Sequence, residues 1–398
     1  MSTYTSSEDG MWEKPIRLPQ PRKTDEEINL KYSDREWRIV TEMNREQIQN
    51  FVEALKRPGW MEVRPFYQRR QRWDEGRQSR LIESFIMNVP VPPLFVYETD
   101  LAKYEVMDGQ QRITAIQEFY SGNLTLTGLE HWPELNGRTY SKLPSEIKRG
   151  IDRRSISYIV LLHESARGEE EASFLKQLVF ERLNTGGVAL SRQEIRNCIY
   201  QGSFNRLILK LAEQDLFRQT LGLPKFTESE RANPSEELRN STIYLEMKDI
   251  EMVLRFFALR HSDHYQRGMQ GFLDLYMGRA KHFSDEELQR LKSMFESTLS
   301  LGNSIYGDKL YRPWNPKKQD WEKSPHIAFG DAVMVGLSSH LDKANELIRK
   351  RDHIIARTKS LFDEFWETGR LTGRGNSKSD VQDRITLFST MLEDVLKQ

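Results

Sequence analysis

Apolar residues recur every three or four positions over most of the chain, and where that spacing gives way to alternation the predicted element changes from helix to strand. Ile48, Phe51, Val52 and Leu55 share one face of an amphipathic stretch beginning near Asn44, and Pro58-Gly59 stops it. Asp74 stands as an N-cap before a helix over 75–88, whose stripe is Leu81, Ile82, Phe85 and Ile86; Pro90 closes it. Leu94–Tyr97 and Tyr104–Met107 form a predicted hairpin of two strands. Helical spacing returns from Gln110, with Ile113, Ile116 and Phe119 or Tyr120 inward. A second hairpin is expected between 124–126 and 138–140, with Asn136-Gly137 as its turn. A helix over 145–153, a strand over 155–162 and a helix over 169–182 follow. A polar glycine-rich loop comes next, and Ser191 and Glu194 then make a capping box, which gives Glu194 a structural job.

Beyond about Gln201 only helical spacing recurs, over 207–211, 247–259, 272–277, 287–301, 328–341, 347–366 and 381–396. The stretches 216–241 and 306–325 are loop-like. The predicted fold class is α+β, a small mixed sheet with helices, followed by a mostly α-helical C-terminal domain. The expected organisation is a flexible tail over 1–23, an α+β domain over 24–202 and an all-α domain over 203–398.

Charge and composition narrow the function. Lys+Arg and Asp+Glu both number 59 in 398 residues, which excludes a polybasic nucleic-acid binder over the whole chain and leaves a local basic face open. Mean hydropathy is −0.68 and no long apolar run occurs, so a cytoplasmic protein without a membrane partner is expected. The single cysteine, Cys198, allows no internal disulfide and falls in a helical pattern as a core residue. His261 and His264 flank Asp263, but no third ligand stands at a recognisable spacing, so no metal is assigned there.

Candidate chemistry centres on Asp108-Gly109-Gln110-Gln111-Arg112, between a strand and a helix. A helix N-terminus presents unpaired N–H groups and partial positive charge, which suits an anion. Gly109 lets a ligand oxygen approach the backbone, and the Arg112 guanidinium matches phosphate. A strand–turn–helix with Asp108 as N-cap needs no ligand, so both readings stand on these residues. Arg64, Arg69, Arg70 and Arg72, interleaved with Phe66 and Tyr67, make either a phosphate- or base-contacting arm or a solvated strand. Glu83 falls off its helix's apolar stripe and faces a metal or water. The basic, glycine-rich segment 372–378 is a linker or a loop that closes over a polyanion.

Five motifs in order resemble one family: Pro65-Phe66-Tyr67-Gln68-Arg69; Leu81-Ile82-Glu83-Ser84; Pro90-Val91-Pro92-Pro93; Asp108 to Arg112; and Phe180 to Gly187 with Leu190-Ser191 and Glu194-Ile195-Arg196-Asn197. Together they resemble the GmrSD-type N-terminal domain (domain-of-unknown-function family 262) of the ParB/sulfiredoxin-like superfamily, over roughly 61–202. The resemblance implies a ParB-like fold that binds a nucleoside triphosphate (GTP, ATP or CTP), with Mg2+ and often with hydrolysis. It places the nucleotide site on Asp108 to Arg112; the catalytic set expected there is Asp108, Gln110, Gln111 and Arg112, with Asp108 holding a divalent metal or polarising water. The nucleotide contacts it implies are Gln68, Arg69, Gly109, Arg112 and Asn184, to which Arg196 is added. Leu183 stands where ParB relatives carry a glutamate before the asparagine, a departure from a ParB-style magnesium contact. Restriction factors of this family usually carry a separate HNH-type nuclease domain, and no His-Asn-His pattern occurs here. The expectation is an NTPase of anti-phage or DNA-restriction type that serves a separate nuclease or defence-system subunit. The alternatives are a DNA-recognition module, with Arg64, Arg69, Arg70, Arg72 and Lys378 on phosphates and the nucleotide only a switch, or a ParB-like nuclease using the same motif.

Overall fold

The computed structural model describes residues 8, 10–12, 24–33, 39–63, 73–162, 175, 176, 178, 179, 182, 191–231 and 234–398. Two compact units emerge: an α/β unit of Leu18–Leu190 with Arg231–Pro234, and a helical unit of Met1–Arg17, Ser191–Glu230 and Ser235–Gln398.

In the α/β unit the described elements are α1 (Asp25–Ser33), β1 (Thr41–Gln47), α2 (Ile48–Leu55), β2 (Met61–Glu62), α3 (Glu75–Met87), β3 (Leu94–Asp100), β4 (Lys103–Asp108), α4 (Gln110–Ser121), α5 (Ser145–Asp152) and β5 (Ser155–Leu161). The strands form one mixed sheet in the order β1-β5-β3-β4-β2. β1 runs antiparallel to β5, with Thr41 opposite Leu161, and β5 runs parallel to β3, with Leu94 opposite Tyr158. The β3–β4 hairpin pairs Val96 with Val106, and β2 joins β4 in parallel. Alternation along the strands divides the sheet into two faces. Leu94, Val96, Val106, Ile156, Tyr158 and Val160 pack against Phe51 of α2, Ile82 and Phe85 of α3, and Ile113, Ile116 and Phe119 of α4. Each such side chain, fully buried, contributes about 1.5–3 kcal/mol.

Several expectations change in the structure. β1 begins at Thr41, where an amphipathic helix was expected from about Asn44; the helix proper starts at Ile48. β1 is an edge strand, and most of its side chains face solvent, so its sequence carries no apolar alternation. The predicted second hairpin reduces to two backbone bonds, from Leu126 N to Arg138 O and from Gly137 N to Leu126 O, flanked by 3-10 turns at Pro133–Leu135 and Tyr140–Lys142. The stretch 216–241 includes most of the helix Asp215–Leu221 and a short helix at Glu236–Arg239; 306–325 holds a two-stranded ribbon pairing Trp314 with Trp321. Residues 8, 11 and 12, expected in a flexible tail, belong to the helical unit, with Glu8 wholly buried.

The helical unit is built around Ile327–Ser338, apolar on nearly every side and buried over 328–338. Gly336 permits the crossing of helix Lys378–Lys397: a methyl there would lie 2.8 Å from Phe388. Asp331 is the charged residue within this buried helix. It accepts from Arg255 Nε at 3.0 Å and from Arg255 Nη2, a bidentate pair that satisfies both buried charges. The expected boundary after Gly202 falls earlier, because Ile195, Cys198 and Ile199 of helix Arg192–Ile199 are buried within the helical unit. Among the described residues, no helix is long and apolar enough to cross a membrane.

Candidate functional site

β4 ends at Asp108 and α4 begins at Gln110, so the whole reversal falls on Gly109, at φ +97°. Two constraints fix a glycine there. The left-handed backbone disfavours any L side chain, and a methyl would overlap Leu94 Cδ2 and lie 3.1 Å from Arg112 Nη2. Gly109 O accepts from Ile113 N at 2.9 Å and starts the helix. No side chain caps α4 and its first turn carries no acidic residue, so Asp108 is not the N-cap that one sequence reading allowed.

Asp108 faces Arg112 instead. The guanidinium folds back over Gly109, donating from Nη2 to Asp108 Oδ2 at 2.5 Å and from Nη1 to Pro92 O at 2.7 Å. This clasp ties the helix to the strand before it and to the Pro-rich lead into β3. Its two members differ in exposure: the Arg112 side chain is 11% accessible and that of Asp108 is 50%. Two of five guanidinium donors and one of four carboxylate lone-pair sites are used in this way. Gln111 Oε1 accepts from Trp73 N at 3.3 Å, which fixes the residue before the α3 N-cap to the same helical turn. Gln110 is half-buried at the head of the helix.

The structure therefore brings together Asp108, Gly109, Gln110, Gln111 and Arg112. Gln68, Arg69 and Asn184 lie outside the described residues. Arg196 sits in the helical unit, 1% exposed, and donates to Asp274 at 2.7 Å, to Gln193 at 2.5 Å and to Gln270 at 2.6 Å. A buried guanidinium needs such a set, and these bonds give Arg196 a structural role in that unit. Among the described residues, no group of three or more His, Cys, Asp or Glu is placed to hold a metal.

Glu83 has a role that spacing did not indicate. Buried at 3% exposure, it accepts from the backbone N–H groups of His131 at 2.8 Å, Trp132 at 2.9 Å and Glu130 at 3.4 Å. Ser79, one turn earlier, accepts from Thr127 N at 3.0 Å. The polar side of α3 thus anchors the long connection that follows α4. A polar residue beside an apolar stripe was the available signal; its partners lie 47 to 49 residues away and were not.

On the sheet face opposite α4 a cavity of about 330 Å³ is lined by Phe95, Met107, Ile159, Leu161, Leu178 and Val179, among others. Beside it on the same face, Lys176 donates to buried Glu105 at 3.1 Å and lies 4.0 Å from the centre of the Tyr97 ring.

A mixed sheet with helices, carrying a strand–glycine–helix clasp, is the class of domain these elements define. Residues 48–201 match the family model of the GmrSD restriction endonuclease, N-terminal domain, so the resemblance carried by the five motifs holds for this stretch, less than half of the chain. No curated protein and no solved structure matches the chain.

Proposed function

We propose that this chain is a component of a DNA-restriction or anti-phage system, and that its Asp108–Arg112 clasp is a magnesium-dependent triphosphate site that senses, and slowly hydrolyses, a nucleotide. The match over 48–201 supports the first part. One observation carries the second: α4 starts on a left-handed glycine, without a side-chain cap or an acidic first turn, and with a guanidinium folded over that start. Backbone N–H groups at such a terminus and the remaining Arg112 donors converge on an anion.

Asp108 determines the metal dependence. A carboxylate about 5 Å from a phosphate opposes it by about 3 kcal/mol at an effective dielectric of about 20. Asp108 Oδ2 is held by Arg112, which leaves Oδ1 to turn towards a divalent cation, and magnesium binds through one or two carboxylates plus phosphate oxygens. One exposed carboxylate fits that habit. When bound, the metal and nucleotide supply the phosphoanhydride and the charge compensation for its cleavage. The chain holds the β- and γ-phosphates on the amides of 109–111 and on Arg112, orients water with Gln110 or Gln111, and brings Arg69 to the charge that develops on the transferred group. Gln68 and Asn184 complete the nucleotide contacts.

A second reading rests on the clasp itself. Arg112 already has two partners, so the motif can serve only to lock α4 to β3 and β4. A thermal-shift panel of ATP, GTP, CTP and UTP, with magnesium and with EDTA, separates the two. At 100-fold excess over its dissociation constant, a true ligand adds about 2.7 kcal/mol. One nucleotide is expected to raise the melting temperature only with magnesium. Asp108→Asn, which keeps an oxygen for Arg112, is expected to weaken that dependence on magnesium. No shift with any nucleotide would leave the clasp a structural device.

A further inference from the structure

The N-terminal segment meets the helical unit as a ligand meets a receptor. Glu8 is wholly buried, and its carboxylate accepts from Arg260 Nη1 at 2.7 Å, His261 Nε2 at 3.0 Å and Tyr276 Oη at 3.4 Å. Arg260, His261 and Tyr276 are themselves buried, so the site offers converging donors to one anionic group. Four residues on, Trp12 lies flat on His264, with centroids 4.6 Å apart and planes 1° apart, and stacks on Phe272 at 5.8 Å. The Arg279 guanidinium lies 4.9 Å from the indole and also donates to Met11 O.

His261 joins the two anchors. Indole N–H is only a donor, so Nδ1 accepts from Trp12 Nε1 at 3.1 Å and the ring proton sits on Nε2, facing Glu8. The imidazole is thus neutral, and burial pushes its pKa below the ordinary value, against the pull of Glu8. One ring reads both the carboxylate and the indole, which fixes their separation. Arg260 and His261, which bind Glu8 and Trp12, lie some 250 positions away in sequence.

We propose that the helical unit carries a docking site for a carboxylate–indole segment, filled here by Glu8, Met11 and Trp12 and able to take the same segment from a second copy of this chain. Arm exchange of this kind uses contacts already selected in one chain and needs no new surface. The occupant in cis competes at an effective concentration in the millimolar range, so exchange appears when the resident segment is weakened.

The test uses the full chain and a fluorescein-labelled peptide of residues 1–17. Anisotropy titrations are run on the wild type and on the Trp12→Ala and Glu8→Gln chains, with folding checked by circular dichroism. The peptide is expected to bind either variant at least tenfold more tightly than the wild type, and a peptide carrying Glu8→Gln is expected to lose that advantage. Equal, negligible binding to the wild type and to a folded variant would overturn the proposal. If neither variant folds, hydrogen exchange on the wild type decides. Amides of 10–12 that exchange faster than those of helix Lys248–Leu259 support a detachable segment; exchange only at the rate of that helix overturns it.

Discussion

Replacing Arg112 with alanine is expected to abolish nucleotide-dependent stabilisation while lowering the melting temperature of the free protein by only a few degrees. The two effects differ because they draw on different interactions. In the free protein the mutation removes an ion pair with a half-exposed partner, worth about 0–1 kcal/mol, and a bond to the Pro92 carbonyl, worth about 1 kcal/mol. Water can reach both groups left behind. Towards a triphosphate the same guanidinium supplies charge-assisted bonds of about 1.5–3 kcal/mol each, so affinity is expected to fall by about 30-fold or more. Arg112→Lys retains the charge without the planar fork and should recover only part of the loss. Differential scanning fluorimetry with and without the stabilising nucleotide measures both effects. A large loss of stability in the free variant, with nucleotide binding unchanged, would make the clasp structural and move the ligand site elsewhere.

Glu83→Ala is expected to cost the α/β unit about 3 kcal/mol without touching the clasp. Glu83 accepts from three successive backbone N–H groups, and alanine leaves all three without an acceptor beside a side chain that is 3% exposed. Each orphaned buried donor costs about 1–3 kcal/mol, and partial access of water to the exposed residues 130–132 keeps the total below the sum. Glu83→Gln keeps one acceptor and should lose about half as much. Urea unfolding should show a lower midpoint at unchanged slope. If Glu83 instead served a metal, the variant would keep its stability and lose a magnesium response.

The parts of the fold that were legible in the sequence are those whose partners are near or whose periodicity is strong. Asp74 caps α3 by accepting from Arg77 N at 2.7 Å, and Ser191 and Glu194 close a capping box, because caps are decided within three residues. The hairpin before Asp108 followed from two apolar runs and a short loop. Cys198 is buried, as its place in a helical stripe implied. β1 was hidden because an edge strand with polar side chains has no apolar alternation to read. The same limit applied to the candidate site. The Asp108-Gly109 turn and the helix after it were legible, whereas the bond from Arg112 to Pro92, 20 residues earlier, was not. Arg196 belonged to a family motif, yet its burial depends on Gln270 and Asp274, more than 70 positions away. Glu8 and Trp12 are the extreme case: a polar, acidic N-terminus has no periodicity, and its partners Arg260 and His261 lie about 250 positions away.

The central claim is that main-chain amides at the head of α4, together with the Arg112 guanidinium, hold a triphosphate. Residue-resolved hydrogen exchange, with and without the nucleotide that stabilises the protein in magnesium, tests it most directly. The amides of Gly109, Gln110 and Gln111 are expected to slow at least tenfold on binding, and the Arg112→Ala chain is expected to show no such slowing. Unchanged exchange at these amides, with protection appearing at another site, would contradict the claim.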